Sequence, residues 1–298
     1  MHGLTVILSA GGLGNQLFAW NFAHYLIVQE NLSKVKIAFD LPPQDYELGI
    51  ARLRSFCNHN ISIVPYSQNI KSLLRVIDFS SKKSKLMSRI VSKQTHFLSE
   101  NLNHFSLSNL NKKNFLIRGF FQNVHFKSTI PLVLDELSYH FRESSKSLSE
   151  LARELYPSLI SNQNIVVHAR RGDYLDNYET LGVLSKRYFV QQSRNYKRVI
   201  LFSDDSNFVR RIEKEHENWS GYGKELNQWE TLYLLGSAKN LVISNSTFSW
   251  WAGQTVLRNG GQVLAPRPWF RQPQFERDIY QDERFVYRNS DFENNLEF

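Results

Sequence analysis

Cysteine is almost missing from this chain. The lone Cys57 among 298 residues cannot close an internal disulfide, and a single thiolate cannot head a cysteine-rich zinc site that needs about four ligands. Long apolar runs are missing too. No stretch approaches the roughly 18 uninterrupted apolar residues of a membrane-spanning helix, and the short run 4–8 ends in glycines instead of extending into a signal-peptide core. These absences predict a protein of the reducing cytoplasm. With 8 prolines and 14 glycines, and without repeats, the chain is neither fibrous nor low in complexity. What remains is globular: 42 % hydrophobic, 13 % aromatic and 21 % charged residues, over a length that predicts about two domains of roughly 150 residues.

Acids are scarce in one place. Across 71–93, Lys71, Arg75, Lys82, Lys83, Lys85, Arg89 and Lys93 face only Asp78, so +6 of the net charge of +8 is concentrated there. A solvated basic face is the plainest account. An anionic membrane surface comes second, because Leu73, Leu74, Val76, Leu86, Met87, Ile90 and Val91 interleave with the charges. Nucleic acid comes last, since Phe79 is the only aromatic available for base stacking.

Along the chain, a β-rich run at 4–8 meets Gly11, Gly12 and Gly14, and Phe18, Phe22, Tyr25 and Leu26 then recur at helical spacing over 15–30. Residues 35–39 supply the next strand. The stretch 41–114 mixes proline, asparagine and serine and reads as an insertion that carries the basic segment; 115–121 restores a buried strand. A helix over 149–156 is expected to end at Pro157, which places the domain boundary there, 1–157 against 158–298. Beyond it, strands at 165–168, 199–202, 241–244 and 262–264 alternate with helices at 186–196, 207–217, 229–238 and 247–257. Alternation of this kind predicts α/β domains on parallel sheets, with a ligand cleft expected where strand ends of the two halves face each other.

Four constellations can carry chemistry. Gly11-Gly12-Leu13-Gly14-Asn15 lies where a phosphate or sugar could meet bare amides at a helix start, although a tight strand-to-helix turn explains the glycines as well. It is no dinucleotide fingerprint, because Leu17 stands in place of the third glycine. His168-Ala169-Arg170-Arg171-Gly172-Asp173 ends a strand, so the guanidiniums emerge on the ligand side and can grip phosphate oxygens as forks. Neutralisation by Asp173 and Asp176 is the alternative, more realistic for one arginine than for both. His168 reads as a satisfied strand histidine or as a base contact. Ser203-Asp204-Asp205 suits hydroxyl binding or helix capping better than a metal, which would need further oxygen ligands. Ser244-Asn245-Ser246-Thr247-Phe248-Ser249 runs from a strand into a helix and offers Ser246, Thr247 and Ser249 hydroxyls beside free amides, an anion pocket. Trp250 and Trp251 read as core. Glu230, on a helix beside Trp229, is either a purine contact or a surface acid.

In this order, Gly11 to Phe18, Gly119-Phe120-Phe121-Gln122, His168 to Asp173 and Ser244 to Trp251 resemble the motifs of family 11 glycosyltransferases, the α-1,2-fucosyltransferases, especially bacterial ones. The resemblance implies a GT-B arrangement of two Rossmann-like domains facing a cleft, GDP-fucose as donor, inversion at the anomeric carbon and no metal cofactor. It implies that Arg170 and Arg171 grip the donor diphosphate, that Ser246 and Thr247 bind its phosphates and that His168 contacts guanine. Gly14 and Asn15 would face the fucose, with Asp204, Glu230 and Asn245 completing the donor contacts. Relatives often carry aspartate near Glu230, and Phe18-Ala19-Trp20 departs from the usual residues after the glycine turn.

The expected reaction is fucosyl transfer to the 2-hydroxyl of a terminal galactose, on a surface polysaccharide repeat that is lipid-linked. The 71–93 segment would then hold the enzyme at the inner membrane face. Another GDP-sugar transferase of the same architecture is the first alternative and a basic RNA-binding module the remote one. The general base stays open between Asp173, Asp40 and none, with Asp173 read first as an organiser of both arginines.

Overall fold

The computed structural model describes residues 5–39, 60–64, 95–99, 114–223, 225–278 and 281–294. The basic stretch 71–93, most of the expected insertion and Asp40 lie outside the described residues. The chain divides into two compact units, Met1–His140 and Phe141–Phe298.

In the first unit, β1 (Thr5–Ser9), β2 (Val35–Phe39), β3 (Ile61–Val64), β4 (Thr95–Ser99) and β5 (Asn114–Arg118) form a sheet of order β3-β2-β1-β5-β4. All neighbours are parallel. Two of these strands, β3 and β4, lie inside the stretch expected to be an insertion. Helix α1 (Leu13–Val28) starts two residues before the expected Asn15 and is buried on nearly all sides, so its polar residues need internal partners. Asn21 donates to the Phe126 carbonyl at 2.9 Å, and His24 meets Glu136 of α2 (Ile130–Ser144) at 3.0 Å. Gly11 makes the turn into α1 at φ +90°; Phe121 also takes a positive φ, +57°, and stacks on Phe22 at 4.2 Å.

The first α-helix wholly within the second unit is α3 (Glu150–Leu159). The unit's strands are β6 (Asn164–Ala169), β7 (Arg198–Ser203), β8 (Trp219–Tyr222), β9 (Asn240–Val242), β10 (Gln262–Arg267) and β11 (Val286–Asn289). They form an all-parallel sheet of order β11-β10-β9-β6-β7-β8. Counted from β6, this is the doubly wound order in which the chain works outward in one direction, returns to the middle and works outward in the other. Helices α4 (Gly172–Asp176), α5 (Lys186–Ser193), α6 (Ser206–Glu215), α7 (Gln228–Ser237) and α8 (Thr247–Arg258) connect the strands. Ile165, Val167, Val199 and Leu201 pack under Tyr188, Phe189, Phe208 and Trp219.

Pro157 does not end its helix. It sits in the exposed last part of α3, where the bond its missing N–H forfeits belongs to the exposed Arg153 carbonyl, and the helix continues to Leu159. The whole of α3 joins the second unit, with Tyr156 stacked on Tyr233 of α7 at 5.9 Å, so the units part at His140/Phe141, ahead of the expected boundary.

Candidate functional site

The strand order of the second sheet reverses between β6 and β9. Chains leaving the carboxyl ends of two such strands diverge and leave a crevice, the usual ligand site of open α/β sheets. The two motifs expected to bind phosphate are the loops at those two ends. They are sewn together: the Arg170 amide donates to Ser244 Oγ at 2.7 Å, Ser244 Oγ donates to the His168 carbonyl, and Tyr174 Oη donates to the Asn245 carbonyl at 2.9 Å.

The two arginines divide. Arg170 keeps a side chain 35 % exposed, with Nη2 on Asp173 at 2.6 Å and Nη1 on Asp204 at 2.8 Å. Arg171 is turned inward with its side chain only 7 % exposed; Nε meets Asp205 at 2.9 Å, and Nη1 and Nη2 straddle Glu293 at 2.7 and 3.3 Å. The Phe208 ring lies 4.4 Å from its guanidinium. Burial opposes the charge of Arg171, but Glu293 and then Asp205 outweigh it and hold the group charged. Asp173 therefore organises Arg170 alone, and Asp176 pairs with neither arginine among the described residues.

Asp204 is a backbone cap. Its Oδ1 accepts the amides of Arg171 and Gly172 at 2.8 and 3.1 Å, and a Cβ on Gly172 would stand 2.5 Å from Oδ2. Asp205 caps α6 through the amides of Asn207 and Phe208. Burial works against its carboxylate, yet the Phe208 amide and Arg171 pull its pKa below the ordinary value.

At the other loop, Ser246 is the N-cap of α8 but its side chain makes no capping bond. The first-turn amides of a helix have no intrahelical acceptor, so those of Thr247, Phe248 and Ser249 form a donor cluster with a partial positive charge. Ser249 does not add its hydroxyl to that cluster. It is fully buried and meets His168 Nδ1 at 2.5 Å, which reduces the expected three hydroxyls to Ser246 and the half-buried Thr247. His168 is 7 % exposed and lies under Phe248, ring to ring at 5.4 Å. Burial lowers its pKa to about 4, opposed by Asp204 and aided by Arg170, so the imidazole is neutral, with its Nδ1 edge on the α8 serine. Asn245 donates from Nδ2 to the carbonyls of Leu181 and Gly182, both at 3.0 Å, while its Oδ1 is buried with no partner among the described residues.

Glu230 is the third residue of α7, closes a capping box with Asn227 and accepts the Ser149 amide at 2.8 Å, so its carboxylate joins two helix starts. Gly14 and Asn15 belong to the first unit, inside the first turn of α1, where Asn15 Oδ1 accepts Gln122 Nε2 at 3.2 Å. Sequence reasoning missed Tyr174, which directly follows Asp173 and was within reach of the motif. It also missed Glu293, which no local pattern marks.

The outward guanidinium of Arg170 and the uncapped helix start suit an anionic ligand. Comparison with known proteins gives that chemistry a family. An alpha-1,2-colitosyltransferase of Escherichia coli is 27 % identical over 299 residues, covering 90 % of this chain and 93 % of that protein. Among solved structures, the E. coli ADP-heptose LPS heptosyltransferase II aligns with a TM-score of 0.47 at 11 % identity, over 96 % of this chain and 90 % of that one. The fucosyltransferase NodZ from Bradyrhizobium aligns at 0.46 and 11 %, over 86 % and 94 %. Residues 4–288 match the profile of glycosyl transferase family 11; the chain belongs to that family.

Proposed function

We propose that the protein transfers L-fucose from GDP-fucose to the 2-hydroxyl of a terminal galactose, with inversion, in building an O-antigen-type polysaccharide repeat. The observation that carries the reading is that the loop bearing the half-exposed Arg170 is bonded through its amide to Ser244, two residues ahead of a helix start that its own N-cap serine leaves uncapped, at the strand-order reversal. The acceptor oxygen forms the new bond to the anomeric carbon as the bond to the diphosphate breaks on the opposite side, and negative charge grows on the departing GDP. That growing charge is what Arg170 and the α8 amides stabilise. Arg170 exchanges its carboxylate partners for phosphate oxygens, while Arg171 anchors the loop from beneath. Asp204 and Asp205 are committed to amides and guanidiniums, which favours transfer without a metal, the cationic role falling to Arg170.

A second donor is favoured by the E. coli relative, which is named for colitosyl transfer. Colitose is L-fucose lacking the 3-hydroxyl, and the same phosphate machinery serves both. The deciding experiment offers the purified protein GDP-fucose, GDP-colitose and GDP-mannose with β-galactosyl disaccharides, with chelator present throughout, and reads product linkage. An α-1,2-fucosyl product supports the reading; turnover with GDP-colitose alone moves the assignment to that sugar, and turnover with GDP-mannose alone overturns both. The proposal also places the enzyme at the cytoplasmic membrane face through 71–93, so sedimentation with liposomes should rise with anionic lipid.

A further inference from the structure

The segment that follows β11 carries no recognisable motif, yet it is tied to both loops of the site. Residues 290–293 lie along the loop 181–185. The Ser185 amide donates to the Asp291 carbonyl and Ser185 Oγ to its carboxylate, both at 2.7 Å; the Glu293 amide donates to the Val183 carbonyl at 2.8 Å. Leu184 and Phe292 pair as an antiparallel bridge. Asn245, from the α8 loop, holds the same loop through the carbonyls of Leu181 and Gly182. On its other side, the Glu293 carboxylate takes both ends of the Arg171 fork, and Arg271 donates to the Glu293 carbonyl.

We infer that residues 290–293 are a strap that holds the two halves of the anion cradle in register, with Glu293 as the positioning residue. The inference rests on the reading of that cradle as the diphosphate site. Its logic is mechanical. Arg171 and Arg170 are adjacent, and with the 171 fork drawn inward onto Glu293 and Asp205, the Arg171 and Gly172 amides settle on Asp204 and Arg170 is left facing out. The strap's grip on 181–185 fixes the loop to which Asn245 is fastened, one residue before the α8 cap. Losing Glu293 leaves a buried guanidinium only partly compensated, and the turn that carries Arg170 is free to shift.

The test measures GDP affinity by calorimetry and steady-state constants with GDP-fucose and a galactoside, for Glu293→Gln, Glu293→Ala, Arg170→Ala and wild type. Positioning predicts that Glu293→Ala raises the GDP Kd and donor KM on the order of tenfold with acceptor KM unchanged, Glu293→Gln falling between because it keeps one acceptor oxygen. Because Glu293 acts through Arg171, its replacement adds nothing in an Arg171→Met background. Unchanged GDP affinity in both Glu293 variants, with Arg170→Ala impaired, overturns the strap and leaves the cradle standing. Equal rises in donor and acceptor KM also overturn it, since a general structural defect does that. If Arg170→Ala itself binds GDP normally, the diphosphate reading fails, whatever the Glu293 variants do.

Discussion

Ser244 Oγ accepts the amide of Arg170 at 2.7 Å, and through that bond the ends of β6 and β9 are joined at the point where the sheet's strand order reverses. The same oxygen donates to the His168 carbonyl. Ser244 is fully buried, so Ser244→Ala leaves two backbone groups short of a partner without access to water. The expected loss is about 1–3 kcal/mol in urea unfolding, with weaker GDP binding in the folded variant.

Arg170 and Arg171 should respond differently to the same change. Arg170→Ala is expected to lower turnover by about 10²- to 10³-fold at nearly unchanged melting temperature, and Arg170→Lys recovers little because one ammonium cannot reproduce a fork. Arg171→Ala breaks a buried network and should cost roughly 3 kcal/mol of stability before any effect on turnover is measured. Parallel melting curves and initial rates separate the two.

The buried neutral His168 makes stability depend on pH in a defined window. Folding lowers its pKa from the ordinary 6.5 to about 4, so between those values the unfolded chain binds the proton and the folded chain does not. Its contribution is whole above pH 6.5 and is lost as the pH falls toward 4. Between pH 7 and pH 5 the wild type should lose about 2 kcal/mol more than His168→Gln in urea unfolding. Equal losses would show that the imidazole is accessible to protons when folded.

Gly182 has φ +79°, and a Cβ there would stand 2.6 Å from the Phe292 ring. Gly182→Ala therefore meets both backbone strain and a collision with the strap. The expected outcome is a lower melting temperature and weaker GDP binding together, with the circular dichroism spectrum retained.

Much of the second unit is legible in sequence because short apolar runs such as those of β6 and β7 alternate with helices of plain amphipathic spacing. Strand β8, Trp-Ser-Gly-Tyr, is not: it is a half-buried edge strand with no β-branched residue, and β11, Val-Tyr-Arg-Asn, is similarly partial. Strands β3 and β4 were hidden by the irregular composition around them. Pro157 does not mark the helix end because the bond it forfeits lies on an exposed face two residues from the end of α3, where the loss is small. The two loops at the ends of β6 and β9 stand out in the sequence since each is contiguous, but the inward turn of Arg171 does not, as its partner Glu293 is 122 residues away. The capping of α7 by Glu230 is local and visible in the pattern Asn227-Gln228-Trp229-Glu230.

The central claim is that the β6–β9 crevice holds a diphosphate. Calorimetric titration of the wild type and Arg170→Ala with GDP and with guanosine tests it without reference to the sugar or the acceptor. The account predicts that the wild type prefers GDP to guanosine on the order of 10²-fold or more and that Arg170→Ala loses most of that preference while its guanosine affinity stays the same. Equal affinity of the wild type for both ligands, or a variant that keeps the full preference, would contradict it.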